Sequence, residues 1–414
     1  MTPEESPSIV LSYDHAASVV HRQAVRAREE ASRKPNVEKV PLGEAAGRVL
    51  AEPVVADRDQ PPFPRATRDG YACRLADLDA GGLRVVGLLR AGEAWTLGAI
   101  RPGEAVEIMT GAAVPPGADC VVMVEHVVSG EEHISLAEGR EMTAGENIVP
   151  AGAEARAGDV VVPAGGRIGI AEVAAAAACG AAQLAVFGRP RVAILATGDE
   201  LVELDRKPAP HQIRNSNSYS LAAQVRAAGG EPIVLPPVHD DLAATERAIR
   251  DARDCDLIVL TGGVSMGKYD FVEQALVRLG SEFYFTGAKI QPGKPVVFGM
   301  LGDTHFLGLP GNPISTIVTF TLFGAPLLRA LGGESDERPR FTLARLEKEV
   351  RVKPGLTRFL PAIVVSSFRG VHVRQIGWQG SGDLAAAARA NGFLVVPDTV
   401  ERLAAGEIVT VLEI

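Results

Sequence analysis

A chain of 414 residues with a formal net charge of −9 carries no basic face or tail, which argues against nucleic-acid binding. Its 46% hydrophobic and 22% charged residues fit a soluble globular protein with sizeable cores, long enough for about two to four domains. The 44 Gly and 28 Pro, set against 2 Trp and 5 Tyr, favour many turns and short strands over long helical bundles.

The first residues, MTPEESPSIVLSYDHAA, are acidic and polar, unlike a secretory leader. Residues 11–34 predict an amphipathic helix, with Ala16, Val19, Val20, Gln23 and Ala27 on the helical period and RKPN (33–36) ending it. Residues 37–54 read as a strand, a turn at 43–47 and a second strand. Residues 55–140 change character to short β runs split by Gly and Pro, and are expected to form an inserted β-rich lobe. Residues 141–188 hold turn–strand units and a helix from Ile170, with Gly180 placed as a C-terminal helix glycine. This segment is expected to pair with residues 37–54, so that 1–54 and 141–188 make one discontinuous, elongated domain.

Residues 189–332 alternate strand and helix. RVAILATGDE (191–200), DLIVLTGGVSMGKYD (256–270) and THFLGLPGNP (304–313) each have the β-branched content of a buried parallel strand and stop at a glycine loop with polar groups. Right-handed βαβ units and a doubly wound α/β domain follow, with the loops gathered at the carboxyl ends of the strands. GGESDERPR (332–340) reads as a polar linker. The remainder of 333–414 holds five strand-like runs, a small all-β, barrel-like C-terminal domain.

No apolar stretch reaches the roughly 20 residues a bilayer span needs, and the richest candidate, GIAEVAAAAACGAAQLAVFG (169–188), is mostly Ala. Cys73, Cys120, Cys179 and Cys255 form no CxxC pair and fit free thiols in a reducing compartment, so a cytoplasmic location is expected.

Several loops carry groups capable of chemistry. Thr197-Gly198-Asp199-Glu200 delivers a hydroxyl, a glycine and two carboxylates, although a polar turn leading into a helix has the same composition. In Thr261-Gly262-Gly263-Val264-Ser265-Met266-Gly267 the glycines let backbone N–H groups approach an oxyanion; the GK[ST] of a Walker loop is lacking. Asp270 ends that loop. Asp240 and Asp241 follow another predicted strand, where capping a helix and holding a ligand are competing roles. If Glu200, Asp240 and Asp270 converge, they offer hard oxygens suited to Mg²⁺ beside substrate phosphates. Lys289-Ile290-Gln291-Pro292-Gly293-Lys294-Pro295 sets two lysines around a rigid turn suited to phosphate or another tetrahedral dianion, or else to solvent. Leu309-Pro310-Gly311-Asn312-Pro313 fixes the backbone just before an apolar helix. Asp69-Gly70-Tyr71-Ala72 and Met109-Thr110-Gly111-Ala112 in the lobe stand out only weakly, since composition alone fits a plain turn as well as a functional one. The eight histidines show no metal spacing, and neither a G-x-S-x-G elbow nor a G-x-G-x-x-G fingerprint is present.

Six motifs in one order span nearly the whole length: PPF…RDGYA (61–72), EIMTGAAVPPGAD (107–119), ATGDEL (196–201), TGGVSMGKYD (261–270), IQPGKP (290–295) and GLPGNP (308–313). On these the chain resembles the molybdopterin molybdenumtransferase family, of the MoeA type also found as the E-domain of gephyrin. The resemblance implies a cytoplasmic enzyme that takes adenylylated molybdopterin and molybdate, inserts molybdenum at the dithiolene sulfurs and releases AMP, with Mg²⁺. It implies an elongated homodimer whose active site lies between the α/β domain of one subunit and the lobe of the other, and a molybdopterin adenylyltransferase as a partner.

By the motifs, Asp69 and Thr110 in the lobe and Glu200, Asp240, Asp270 and Lys294 in the α/β domain are the functional positions. Glu200, Asp240 and Asp270 would hold the metal. Thr197, Gly198, Gly262, Gly263, Ser265, Lys289, Pro292, Gly293, Pro310, Gly311, Asn312 and Arg358 would line the ligand. The chain departs from the family at Pro64-Arg65-Ala66-Thr67, at Arg68 where Met is common, at Gly287 where Lys is common, with Lys289 nearby as the candidate substitute, and at Leu356-Thr357-Arg358-Phe359, where Arg358 would have to serve from a shifted position. Two other readings compete: a scaffold that kept the fold and lost the chemistry, and adenylyl transfer to molybdopterin.

Overall fold

The computed structural model describes residues 8–130, 132–263 and 271–414. At its centre six strands lie side by side in the order Glu231–Val234, Arg191–Ala196, Leu257–Thr261, Thr304–Leu309, Val297–Leu301 and Glu282–Phe285. The first four run parallel. The last two are antiparallel additions, so the sheet is mixed. Gly302 (φ +62°) makes the tight turn between Val297–Leu301 and Thr304–Leu309, a hairpin in place of a helical crossover.

Burial on both faces explains the continuous apolar runs. Val192, Ile194, Leu257, Val259, Leu307 and Leu309 point to one side, under helices Tyr13–Arg33, Asn217–Ala227 and Pro313–Leu331. Ala193, Leu195, Ile258, Leu260 and Phe306 point to the other, under Leu242–Asp251 and Phe271–Arg278. Each fully buried Leu, Ile, Val or Phe here contributes roughly 1.5–3 kcal/mol. Helix Tyr13–Arg33 turns Ala16, Val20, Gln23, Ala24 and Ala27 to this core.

Among the described residues one helix, Pro313–Leu331, is long and apolar enough to cross a membrane, but 78% of its apolar window is buried inside the protein. It is a core helix. Its threonines interrupt the apolar run in the sequence; in the helix Thr319 and Thr321 donate back to the carbonyls of Ser315 (2.7 Å) and Ile317 (2.8 Å), which satisfies them without solvent.

Beside this layer, Val37–Pro41 pairs antiparallel with Gln183–Phe187, and Val54–Val55 pairs with Val160–Val162. Residues 48–51, expected as a strand, make only single bridges, Val49 with Arg167 and Leu50 with Val186. Helix Ile170–Ala178 ends on Gly180 at φ +77°. The lobe is one sheet in the order Cys120–Met123, Gly70–Cys73, Glu104–Ile108, Leu83–Leu89, His133–Leu136, Val127–Ser129. Its register sets Cys73 opposite Cys120 as buried free thiols with sulfurs 3.7 Å apart.

The C-terminal strands Phe341–Leu346, Thr357–Ser367, Gly370–Gln375, Gly392–Val396 and Ile408–Glu413 close into a five-stranded barrel, because Thr357–Ser367 pairs with both Gly370–Gln375 and Gly392–Val396. A short helix, Leu384–Arg389, capped by Asp383, interrupts the β pattern.

The segment expected as a polar linker is packed. Glu334 and Glu337 are 5% and 3% exposed. Arg167 donates to Glu334 at 2.7 Å; Arg28 and His21 meet Glu337 at 2.9 and 3.0 Å. Glu337→Ala would leave Arg28 uncompensated. Because the Arg28 side chain keeps 29% exposure, solvent softens the loss below that of a fully buried pair. The expected cost is about 2 kcal/mol, read as a lowered midpoint of thermal unfolding.

Candidate functional site

The strand order reverses beside Arg191–Ala196. The chain leaves it for Glu231–Val234 on one side and then crosses to Leu257–Thr261 on the other. Loops leaving such a pair diverge and open a crevice at the carboxyl ends of the strands.

Three loops meet there, and a fourth packs on the helix that follows the third. Thr197 donates its N–H to Thr261 O (3.0 Å) and Gly198 to Val238 O (3.1 Å), which lashes the first loop to its neighbours on both sides. The exposed Glu200 carboxylate folds back over Gly198, so closely that a Cβ on that glycine would stand 2.5 Å from Glu200 Oε2. Asp199 Oδ1 accepts from His239 Nδ1 (2.9 Å) and from the Asp240 N–H (3.2 Å). Those bonds, the histidine's first, hold the Asp199 carboxyl below its ordinary range. They also set the Asp240 loop beside the Glu200 loop. Asp241, not Asp240, caps the next helix, accepting from Ala244 N at 2.7 Å.

In the second loop Gly262 (φ +90°) presses on the first: a Cβ there would lie 2.5 Å from the Thr197 carbonyl oxygen, which no side chain allows. Gly263 takes φ +61°. Ser265 and Asp270 lie outside the described residues. The third loop passes through Pro310 and Gly311, with Asn312 at the helix N-cap and Pro313 in the first turn. Thr261 and Thr316 both donate to Pro310 O, at 3.3 and 2.7 Å.

The fourth loop carries the basic groups. Lys289 and Lys294 are exposed, while Pro292 and Gly293 are buried. Gly293 (φ +108°) tucks under Thr319, where a Cβ would sit 2.4 Å from Thr319 Cγ2. The register pairs Gln291 with Arg358, so the barrel brings Arg358 to this loop. The Arg358 guanidinium donates to Lys353 O at 2.8 Å. A second barrel segment docks nearby, its Ser381 carbonyl accepting from Ile314 N (2.9 Å) in the first turn of Pro313–Leu331.

The structure therefore gathers Thr197, Gly198, Glu200, Gly262, Gly263, Pro310, Gly311 and Asn312 at one reversal point, with the Asp240 loop tied to it through Asp199. Lys289, Pro292, Gly293, Lys294 and Arg358 cluster on the barrel side. Among the described residues no three His, Cys, Asp or Glu side chains stand at metal-holding distance. Glu200 and Asp240 stand on adjacent loops tied through Asp199, and carboxylates are the hard oxygen donors that an ion such as Mg²⁺ takes.

Asp69 and Thr110 flank two paired strands of a separate sheet, just before Gly70–Cys73 and just after Glu104–Ile108. They are 41 residues apart, yet Asp69 Oδ1 accepts from both the N–H (2.6 Å) and the hydroxyl (2.7 Å) of Thr110. The backbone bond first, and the hydroxyl second, lower the Asp69 pKa below 3.8. A depressed carboxyl is held charged, and the associated stability is present above the unfolded pKa and lost as pH falls through the folded one. Thr110→Val removes the hydroxyl bond and keeps the backbone one. The Asp69 midpoint, followed by NMR titration, is expected to move partway up toward 3.8.

Residues 11–180 match the MoeA N-terminal region (domain I and II), residues 193–330 the family described as "Probable molybdopterin binding domain", and residues 343–414 the MoeA C-terminal region (domain IV). The chain is 34% identical to a molybdopterin molybdenumtransferase of Nostoc sp., over 92% of this chain and 89% of that protein. It is 33% identical to the molybdopterin molybdenumtransferase of Haemophilus influenzae, over 89% of this chain and 92% of that one. A solved structure, the molybdopterin biosynthesis moeA protein of Pyrococcus horikoshii OT3, aligns with a TM-score of 0.80 at 28% identity, covering 98% of this chain and 100% of that chain.

Proposed function

This chain belongs to the MoeA family, and on that footing we propose that it acts as a molybdopterin molybdenumtransferase, inserting molybdenum from molybdate into adenylylated molybdopterin and releasing AMP. The observation that carries this reading is the convergence of three strand-end loops at the reversal point, with the basic fourth loop packed on the helix beside them. Glycine backbone approaches within distances that exclude any Cβ, and two carboxylates sit on neighbouring loops.

In this reading the N–H groups of Gly263 and Gly311 take phosphate oxygens, while the Gly262 N–H goes to Leu309 O at 3.2 Å and holds the second loop against the third. Lys294, Lys289 and Arg358 neutralise the anionic oxygens of phosphate and molybdate on the barrel side. Pro292 and Gly293 hold the turn that presents the lysines, and Pro310 and Asn312 hold the third loop. Thr197 offers a hydroxyl at the reversal point. Glu200 and Asp240 would hold Mg²⁺, with Asp270 as the third carboxylate that the family motif implies and Ser265 as a further hydroxyl. When bound, Mg²⁺ would neutralise phosphate charge and polarise the anhydride between AMP and the pterin phosphate. Asp69 and Thr110 would come from the partner of a homodimer, the charged Asp69 orienting the pterin side of the substrate.

The test is a turnover assay with purified protein, adenylylated molybdopterin, Mg²⁺ and molybdate, with AMP separated by chromatography. AMP release that depends on both Mg²⁺ and molybdate is expected. Net ATP consumption with metal-free pterin and no molybdate would replace this reading with adenylyl transfer. Absence of turnover together with binding of a partner peptide would replace it with the scaffold.

A further inference from the structure

In the sequence Asn217 is no more than part of a polar helix start. Its carboxamide does something else. One Nδ2 hydrogen goes to Thr261 Oγ1 at 3.0 Å and the other to Gly311 O at 2.8 Å. A carbonyl only accepts, so Gly311 O fixes the orientation of the amide; the flipped form would set two acceptors face to face. Thr261 passes the interaction on by donating to Pro310 O. One side chain on helix Asn217–Ala227 thus ties together the loop after Leu257–Thr261 and the loop after Thr304–Leu309. With both donors used, Asn217 Oδ1 remains. It is buried and has no hydrogen-bond partner among the described residues, and the buried Thr197 Oγ1 beside Gly262 and Gly263 is in the same state. A buried acceptor left unpaired costs about 1–3 kcal/mol, so its retention calls for a use.

We propose, resting on the transferase reading above, that Asn217 is a positioning residue for the adenylylated-pterin substrate: its amide braces the Thr261 and Gly311 loops at their ligand-binding spacing, and its free oxygen accepts an N–H or O–H from that substrate. Asn217 touches the crevice loops and does not touch the lysine–arginine side. Losing the brace therefore moves recognition of the pterin nucleotide and leaves molybdate alone.

Asn217→Asp is nearly isosteric and turns the donor facing Gly311 O into an acceptor. The expected result is a KM for adenylylated molybdopterin raised about tenfold, with the KM for molybdate within about twofold of the wild type. Thr261→Val, which removes the hydroxyl that Asn217 meets, should shift the same KM in the same direction by a smaller factor, and decides the matter if the Asp variant fails to fold. AMP binding by calorimetry, which needs no turnover, should weaken about tenfold in the Asp variant. A folded variant with wild-type KM and wild-type AMP affinity overturns the proposal, as does an equal rise in both KM values. A wild-type protein that releases no AMP refutes the transferase reading by itself, and the calorimetric comparison then still judges Asn217.

Discussion

Glu200→Gln is expected to cut Mg²⁺-dependent AMP release about a hundredfold while the thermal midpoint stays near that of the wild type. Glutamine keeps the size and the hydrogen-bonding oxygen of the side chain and removes its charge. Glu200 is exposed, and the one backbone position it crowds is Gly198, which has no side chain. Surface changes of this kind usually move stability by less than about 0.5 kcal/mol. The functional cost is different in kind. A neutral amide is a poor ligand for a hard divalent ion, and the substitution removes one of the two described carboxylates assigned to that ion. Asp199 is a poorer substitute for Glu200, because its Oδ1 is engaged by both His239 and the Asp240 N–H, which fixes the carboxylate toward the Asp240 loop. The residual reaction should therefore need more Mg²⁺. Titrating Mg²⁺ against AMP release separates weakened metal binding from a general loss. Undiminished turnover at the wild-type Mg²⁺ requirement would remove Glu200 from its assigned role.

Much of this crevice was legible because its signals are local. Ile194 and Leu195 are buried on opposite faces of one strand, so the run reads as continuously apolar. Gly262 and Gly293 are demanded by the backbone itself, one by the Thr197 carbonyl and one by Thr319. What stayed hidden depends on partners distant in sequence. Val297–Leu301 and Glu282–Phe285 have ordinary strand composition, and composition does not say which way a strand runs. Glu334 and Glu337 look like linker residues until Arg167 and Arg28, more than 150 residues away, supply the charge that lets them be buried. Asp69 and Thr110 look like separate turns; the antiparallel register that sets Gly70 opposite Ile108 brings them together. Asn217 sits in NSNSYS, where a helix cap explains the composition equally well, and only the positions of Thr261 and Gly311 reveal the brace. The Leu384–Arg389 helix is too short, and too embedded among strands, for periodicity to reveal it.

Two inactive variants should rescue each other. Asp69→Asn and Glu200→Gln, each nearly inactive alone, are expected to give about a quarter of the wild-type activity per chain when co-expressed in equal amounts. Asp69 and Thr110 form a self-contained pair in the lobe sheet, and Glu200 sits at the reversal point of the central sheet. If a homodimer builds each site from the lobe of one subunit and the α/β domain of the other, a mixed dimer holds one site with both defects and one with neither. Random pairing makes about half the dimers mixed, and half the sites in those are intact. Isolating the mixed dimer with two different affinity tags should raise the figure to about half. Both substitutions keep the local hydrogen bonds available, since the amide oxygen that Asp69→Asn leaves in place still accepts from Thr110, so dimer formation is not expected to suffer. If instead Asp69 serves the crevice of its own chain, every site in every dimer keeps one defect, and the mixture stays as inactive as its parents.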